Sequence, residues 1–340
     1  MMPEARRGLQ RPVLLAALTV ALVLPWLAQA SGYDFVTGVA TRVLILALAA
    51  LSLNLILGFG GMVSFGHAAF FGAGAYVVGI MAYHATVGGP LMTWPIEIGG
   101  SESAFVVWPL AMLVAALLAL VIGALSLRTS GLYFIMITLA FAQMLYYFAV
   151  SLQAYGGDDG LPMWSRSTAG PLALRDDRQF YYLVLALLLL FLFLKARLIA
   201  ARFGRVLRGI RDNERRMNAI GFPTTRYKLA AFVIAGAVAG LAGALMANQT
   251  LFVSPSFLDW PRSGELLVIV ILGGMGSLWG PVAGAVAFIL LEELLSGISV
   301  HWRLVFGPLL ILVVLFARQG LWGLVTAERT GIAPRDTGDG

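Results

Sequence analysis

The chain has no cysteine, which excludes a disulfide framework, a zinc–thiolate site and a cysteine nucleophile. It has only two lysines, Lys195 and Lys228, and neither follows a glycine. A G-x-x-x-x-G-K-[ST] phosphate loop is therefore absent, and with it ATP hydrolysis by that route. The three histidines, His67, His84 and His301, are scattered without metal-ligand spacing, so no metal site is expected. No G-x-S-x-G elbow occurs, and Glu292 and Glu293 are adjacent, about 100° apart on a helix, so they form no obvious catalytic carboxylate pair. Charge itself is scarce: 12% of 340 residues, about half the share usual in a soluble domain.

What fills the chain instead is apolar. Hydrophobic residues make up 60%, and mean hydropathy is positive. A large soluble core would interrupt its apolar runs with polar faces, whereas most runs here are apolar all round. The composition predicts an all-α integral membrane protein, a polytopic bundle of about ten helices (eight to ten). Candidate spans are 12–30, 39–58, 65–84, 104–127, 131–152, 180–198, 229–250, a broken segment over 264–296, and 303–318. Residues 1–330 are expected to form one transmembrane domain, and 331–340 a disordered tail. Arg6, Arg7 and Arg11 before the run Val13–Leu27, with Ala28-Gln29-Ala30 after it, have the shape of a signal peptide. A first transmembrane helix is preferred, because many spans follow.

The net charge of +6 is not a nucleic-acid signature. Segment 195–228 alone holds ten basic and two acidic residues, and the remainder is slightly negative. One basic block beside a membrane sets orientation. Arg6, Arg7 and Arg11 lie six spans before it and Arg128 after the fourth span, so all fall on one side, read as cytoplasmic. Glu97, Glu102 and the stretch 155–179, with Asp158, Asp159, Asp176 and Asp177, fall on the other. Trp94, Trp108, Trp164, Tyr181, Tyr182, Trp260 and Trp302 sit near span ends, where amphipathic rings collect. Inside the spans the polar exceptions are Asn54, Thr138 and Gln143, each suited to interhelical hydrogen bonding or to substrate contact. Glu265 reads as a first-turn charge. So few intramembrane ionisable groups argue against proton coupling.

Two segments break the helical pattern: LGFGGMVSFGHAAFFGAGAY at 57–76 and LGGMGSLWGPVAGAVAF at 272–288. Each contains GGM-x-S, as Gly60-Gly61-Met62-x-Ser64 and Gly273-Gly274-Met275-x-Ser277. Glycine-interrupted segments in corresponding places point to a substrate path. Close packing through small-xxx-small spacings, as in Gly276-xxx-Gly280-xxx-Gly284 and Gly236-xxx-Gly240, is the alternative. For 236–243 packing is preferred; for the two GGM segments, broken helices near 57–76 and 264–284 that line a path.

The segment GIRDNERRMNAIGF, 209–222, concentrates charge between two glycines. Gly221 followed by Phe222-Pro223 is a helix stop. Ile210, Met217 and Ile220 fall on one face, and Asp212 and Arg216 are spaced to pair. A helix this short and polar is marginal alone and must dock on something. A solvated loop that only fixes orientation is the alternative.

These residues carry a resemblance. Gly209-Ile210-Arg211-Asp212-Asn213-Glu214, Ala219-x-Gly221, Lys228-Leu-Ala-Ala-Phe232 and Ala239-Gly-Leu-Ala-Gly243 resemble the coupling region of ABC-importer permeases, and within them the LivM-type permeases of branched-chain amino acid importers. Leu53-Asn-Leu-Ile-Leu-Gly-Phe-Gly-Gly61, Ser64-Phe-Gly-His-Ala-Ala69, Gly72-Ala-Gly-Ala-Tyr76, Leu272-Gly-Gly-Met-Gly276 and Gly280-Pro-Val-Ala-Gly284 are similar to the same family. The chain departs from it at Arg216 and Met217, where family members often carry small residues.

The resemblance implies a non-catalytic, multi-pass subunit of a bacterial inner membrane. Its implied partners are a homologous LivH-type permease, two cytoplasmic ATPase subunits that bind ATP and Mg, and a periplasmic solute-binding protein. Within the cytoplasmic loop 199–228, it places ATPase coupling on Gly209, Ile210, Arg211, Asp212, Asn213, Glu214, Ala219 and Gly221. The substrate path is expected at Asn54, Gly60, Gly61, Ser64, His67, Gly273, Gly274 and Ser277. Related permeases carry urea, short amides or aromatic acids, which are the alternative substrates. A stand-alone channel or ion-coupled carrier, and a membrane scaffold that docks a signalling protein, are the alternatives of other classes.

Overall fold

The structure is a computed structural model that describes residues 4–87, 89–90, 99–170, 174–298, 301, 304–308 and 320–326. Side chains are described from Leu15 to Gly323 within those ranges. Trp94, Glu97, Trp302, the tail 331–340 and most of the expected span 303–318 lie outside the described residues.

The apolar runs fold as helices because lipid offers no partner to a backbone N–H or C=O, and a helix satisfies both internally. In chain order these are α1 (Glu4–Ala30), α2 (Phe35–Asn54), α3 (His67–Thr86), α4 (Ala104–Ser126), α5 (Leu132–Ser151), α6 (Asp177–Ala200), α7 (Arg202–Ala219), α8 (Thr224–Thr250), α9 (Trp260–Gly273), α10 (Gly280–Ile298) and α11 (Gly320–Thr326). Among the described residues, seven are long and apolar enough to span a membrane: α2 with its continuation to Phe59, α3, α4, α5, α6, α8 and α10. Helix α1 adds an apolar stretch, Leu15–Ala30. At 14 residues α9 is about 21 Å long, shorter than a bilayer core.

Helix α2 is the axis. Its most apolar stretch is 89% buried, against 22% for α5. Helices α6, α8, α9 and α10 pack around it, and α3 and α4 close on α8. Small residues permit this, as expected for 236–243. Gly236 and Gly240 of α8 lie against Ala119 and Ala115 of α4, and Gly243 lies against the Phe71 carbonyl of α3. In lipid such close approach replaces the hydrophobic effect as the source of helix adhesion. The outer faces of α4, α5 and α6 stay apolar and exposed, as at Leu117, Leu125, Met136, Phe148 and Phe193. Helix α1 packs on α2 and is tied to α6, where Tyr181 and Tyr182 donate to the Ala21 and Leu22 carbonyls at 2.8 and 2.7 Å.

The end of the bundle opposite α7 is covered by loops. Strand β1 (Leu161–Pro162) pairs antiparallel with β2 (Phe252–Val253). Arg166 gathers the cover: it meets Asp177 at 2.5 Å and donates to the Asn248 and Leu174 carbonyls at 3.0 and 3.1 Å.

Charge inside the helices is more organised than the sequence reading allowed. Arg42 of α2 pairs with Glu292 of α10 at 3.0 Å. Arg262 and Glu265 pair within α9 at 2.5 Å, so Glu265 is more than a first-turn charge. Pairing is how such groups are tolerated at membrane depth.

Candidate functional site

Helix α7 starts before the charged segment and is bent within it. Val206, Leu207 and Ile210, one turn apart, form its buried stripe. The expected stripe of Ile210, Met217 and Ile220 is corrected: Ile220 is 63% exposed. The reason is a corner at Asn213, whose backbone leaves the helical region. Its Oδ1 accepts from the Arg216 N–H at 2.9 Å, so Asn213 caps a second short helix inside the same run. Glu214 then sits at that helix's first position, where a carboxylate suits the dipole, and meets Lys228 of α8 at 2.5 Å. The corner also separates Asp212 from Arg216. Among the described residues Asp212 makes no ion pair, so the expected i,i+4 pair does not form. Beneath the corner, Met217 fills the space over Gly209. Ala219 ends the helix, and Gly221, at φ +91°, supplies the left-handed exit.

Asn213→Ala is expected to cost the short helix about 1 kcal/mol. Amides of 214–219 should then exchange with solvent about fivefold faster, while those of α8 keep their protection.

The first break begins where α2 widens into a π turn, Leu55–Phe59. Such turns shift the hydrogen-bond register and recur at functional sites. The chain then unwinds through Gly60 and Gly61, the latter at φ +68°, before α3 starts at His67. The second break follows α9: Gly274 and Gly276 take φ of +112° and +75°, and α10 starts at Gly280. In both, the second glycine of GGM is left-handed and the serine accepts from a later backbone N–H. Ser64 accepts from Gly66 at 3.2 Å and Ser277 from Gly280 at 2.9 Å.

The two breaks touch. Asn54, fully buried, accepts from the Gly276 N–H at 2.9 Å and donates to the Ser277 carbonyl at 2.7 Å. Gly58 has no room for a Cβ, which would overlap Asn54 Oδ1 and Gly276 N. Two basic side chains reach the same break from outside it. Arg211 of α7 donates through Nη1 to the Gly58 carbonyl, and its side chain lies over Gly61. Lys195 of α6, buried, donates to the Leu51 carbonyl at 3.0 Å and stands 5.5 Å from the Phe59 ring. Each basic side chain donates to a carbonyl near the C-terminal end of α2, where the helix dipole is negative.

The structure thus joins two sets of residues that the sequence kept apart. Asn54, Gly60, Gly61, Gly273, Gly274 and Ser277 form one joint, and Arg211 reaches into it. Ser64 and His67 lie to one side, on the way into α3. His67 faces Ser52, with Nε2 2.7 Å from the hydroxyl oxygen. That hydroxyl donates to Ala49 at 2.6 Å, so the imidazole proton is assigned to Nε2. Its Nδ1 is buried without a partner among the described residues. Sequence reasoning missed Gly58 and Lys195. Lys195 carried a signal, an ionisable residue inside a span; it was absorbed into the basic block.

Known proteins share this chain's sequence over most of its length. A family model described as the permease component of branched-chain amino acid transport systems matches residues 35–315. A high-affinity branched-chain amino acid transport system permease protein LivM of Salmonella typhimurium is 30% identical over 92% of this chain and 75% of its own. A probable LivM of Methanocaldococcus jannaschii is 26% identical over 81% of this chain and 89% of its own. The Escherichia coli LivH permease is 29% identical over 43% of this chain and 46% of its own. No solved structure matches. With a match that runs from α2 beyond α10 and includes both breaks and the helix that joins them, the chain belongs to the family of permease components of branched-chain amino acid transport systems.

Proposed function

We propose that this chain, acting as one permease domain over residues 1–330, is half of the translocation path of a binding-protein-dependent importer for branched-chain amino acids. It sits in a bacterial inner membrane with its N-terminus and α7 in the cytoplasm. A LivH-type permease supplies the other half. Two ATPase subunits bind ATP and Mg and seat on α7, and a periplasmic binding protein delivers the solute. The names of the LivM and LivH relatives support the substrate and the paired permease. The concentration of basic residues around α7 supports the orientation.

One observation carries the coupling. On consecutive residues of α7, Arg211 holds the first break while Asp212 is exposed and unpaired among the described residues. A subunit that grips the outer face of α7 therefore pulls directly on the break. Arg215 and Arg216, also exposed, add charge to that outer face. Met217, half-buried over Gly209, packs inward, so the larger pair at 216–217 does not crowd one surface.

Asp212→Ala with Glu214→Ala is expected to weaken co-purification of the ATPase about tenfold, as loss of charged groups from an interface does, and to lower uptake with normal membrane insertion. Unchanged co-purification together with unchanged uptake would remove the coupling role.

A further inference from the structure

At the end of the bundle opposite α7 lies a cavity of about 610 Å³, within the range of small-ligand sites. It stands over α2, α8, α9 and α10, and α2 and the α9–α10 pair carry the two breaks at their other ends. Arg42, Arg262, Glu293, Asp34 and Asp177 (the last paired with Arg166) line it, with Gln249 beside them and Val39, Met246 and Phe257 as apolar wall. Each guanidinium has donors to spare. Arg42 uses one nitrogen, Nη2, for both oxygens of Glu292, at 3.0 Å each. Arg262 uses Nη1 for Glu265 and lays its plane 5.6 Å from the Phe257 ring. The remaining donors of both, and the Glu293 carboxylate, have no partner among the described residues.

We infer that this cavity is a binding site for a free α-amino acid with an aliphatic side chain. The α-carboxylate takes the spare donors of Arg42 and Arg262, the α-ammonium takes Glu293, and the side chain lies against Val39, Met246 and Phe257. A planar guanidinium matches a carboxylate with two parallel bonds, and a lone carboxylate matches an ammonium. The two ion pairs cancel, and Glu293 and Asp34 leave the lining acidic beside the spare guanidinium donors, so the site offers partners for both ends of a zwitterion. An anion alone meets Glu293 unscreened, and a cation alone leaves the arginine donors unfilled. Discrimination arises because a missing group leaves a partly buried partner unpaired.

The inference rests on the proposed function, since it places the solute in the path after release from the binding protein. The test uses the assembled importer in lipid nanodiscs without its binding protein. Radiolabelled leucine is the probe, with 4-methylpentanoate, which lacks the ammonium, and 3-methylbutylamine, which lacks the carboxylate, as competitors. Leucine should bind, and each competitor should be at least about tenfold weaker. Glu293→Gln should weaken leucine about tenfold and leave 4-methylpentanoate unchanged or tighter. The charge-neutral pair Arg42→Gln with Glu292→Gln should weaken leucine and 4-methylpentanoate together. Assembly of each variant is checked by gel filtration. Equal binding of leucine and both analogues, or leucine binding unaffected by either variant, overturns the inference while ATP-driven uptake by the wild type keeps the function. Absence of ATP-driven amino acid uptake by the wild type with its ATPase and binding protein overturns both.

Discussion

Arg211→Ala should lower ATP-driven uptake by about 10- to 100-fold while the ATPase still co-purifies and still hydrolyses ATP. The size follows from the bond that is lost. A hydrogen bond to a charged group contributes about 1.5–3 kcal/mol, and each 1.4 kcal/mol is tenfold. Arg211 is the polar link from α7 to the first break, through the Gly58 carbonyl. It also brings the second break under the same control, because a Cβ on Gly276 would stand 3.3 Å from its Nη1. If the ATPase seats on α7 as proposed, α7 without Arg211 still follows it, but its link to the first break is left to apolar packing such as that of Leu207 near Gly60. Arg211→Lys should recover part of the loss, since an ammonium reaches one carbonyl but lacks the planar fork. Normal uptake in Arg211→Ala would sink the link. Loss of the ATPase from the complex would assign Arg211 to docking instead.

Much of this arrangement was legible in the sequence, for stated reasons. Span positions follow from unbroken apolar runs, so α2, α4, α5 and α6 lie within a few residues of where hydropathy puts them. Both breaks were legible, because a glycine pair within an apolar run releases the backbone. The corner at Asn213 was not. Asp-Asn-Glu-Arg reads as continuous helix unless one knows that the asparagine turns back on Arg216, and that choice is made by Leu207 and Ile210 seating on one side and Glu214 reaching Lys228 on the other. The joint itself was also hidden. Asn54 and Gly276 are 222 residues apart, and Arg42 and Glu292 are 250 apart. Helical period says which face a residue occupies, not which helix that face meets. The same limit made Lys195 look like part of a cytoplasmic block.

The breaks divide labour with the rest of the bundle. The small-residue seams among α3, α4 and α8 bring backbone and small side chains into close contact, and packing that close resists rearrangement. At the two breaks the backbone is held by a few side chains: Asn54, Arg211, Lys195 and Ser277. Asn54, Arg211 and Lys195 bond across elements, while Ser277 bonds within its own break, to Gly274 and Gly280. A change of state at the breaks therefore exchanges a few identifiable hydrogen bonds, not a whole core, which suits the proposed drive from α7.

Asn54→Leu is expected to remove uptake almost completely and to lower the stability of the assembled protein by about 2–5 kcal/mol. Leucine branches at the same carbon with the same number of heavy atoms, but its methyl groups are bulkier and cannot hydrogen-bond, so lost polar partners and crowding both contribute. The substitution leaves the Gly276 N–H and the Ser277 carbonyl without their partner in a buried joint, and each such group costs about 1–3 kcal/mol. Lipid offers no water to replace the amide. Gly58→Ala should act on the same joint by a different route, because its Cβ would occupy the space of Asn54 Oδ1 and Gly276 N and force the breaks apart. The two substitutions together should then cost less than their sum, since both remove one contact. Thermal unfolding of the purified complex reads the stability, and uptake per assembled complex reads the function. A competing role for Asn54 is direct contact with the solute. That role predicts a changed ratio of leucine to valine uptake in whatever activity remains, whereas a clamp between the breaks lowers both alike. A shifted ratio with unaltered melting would move Asn54 from the joint to the path wall.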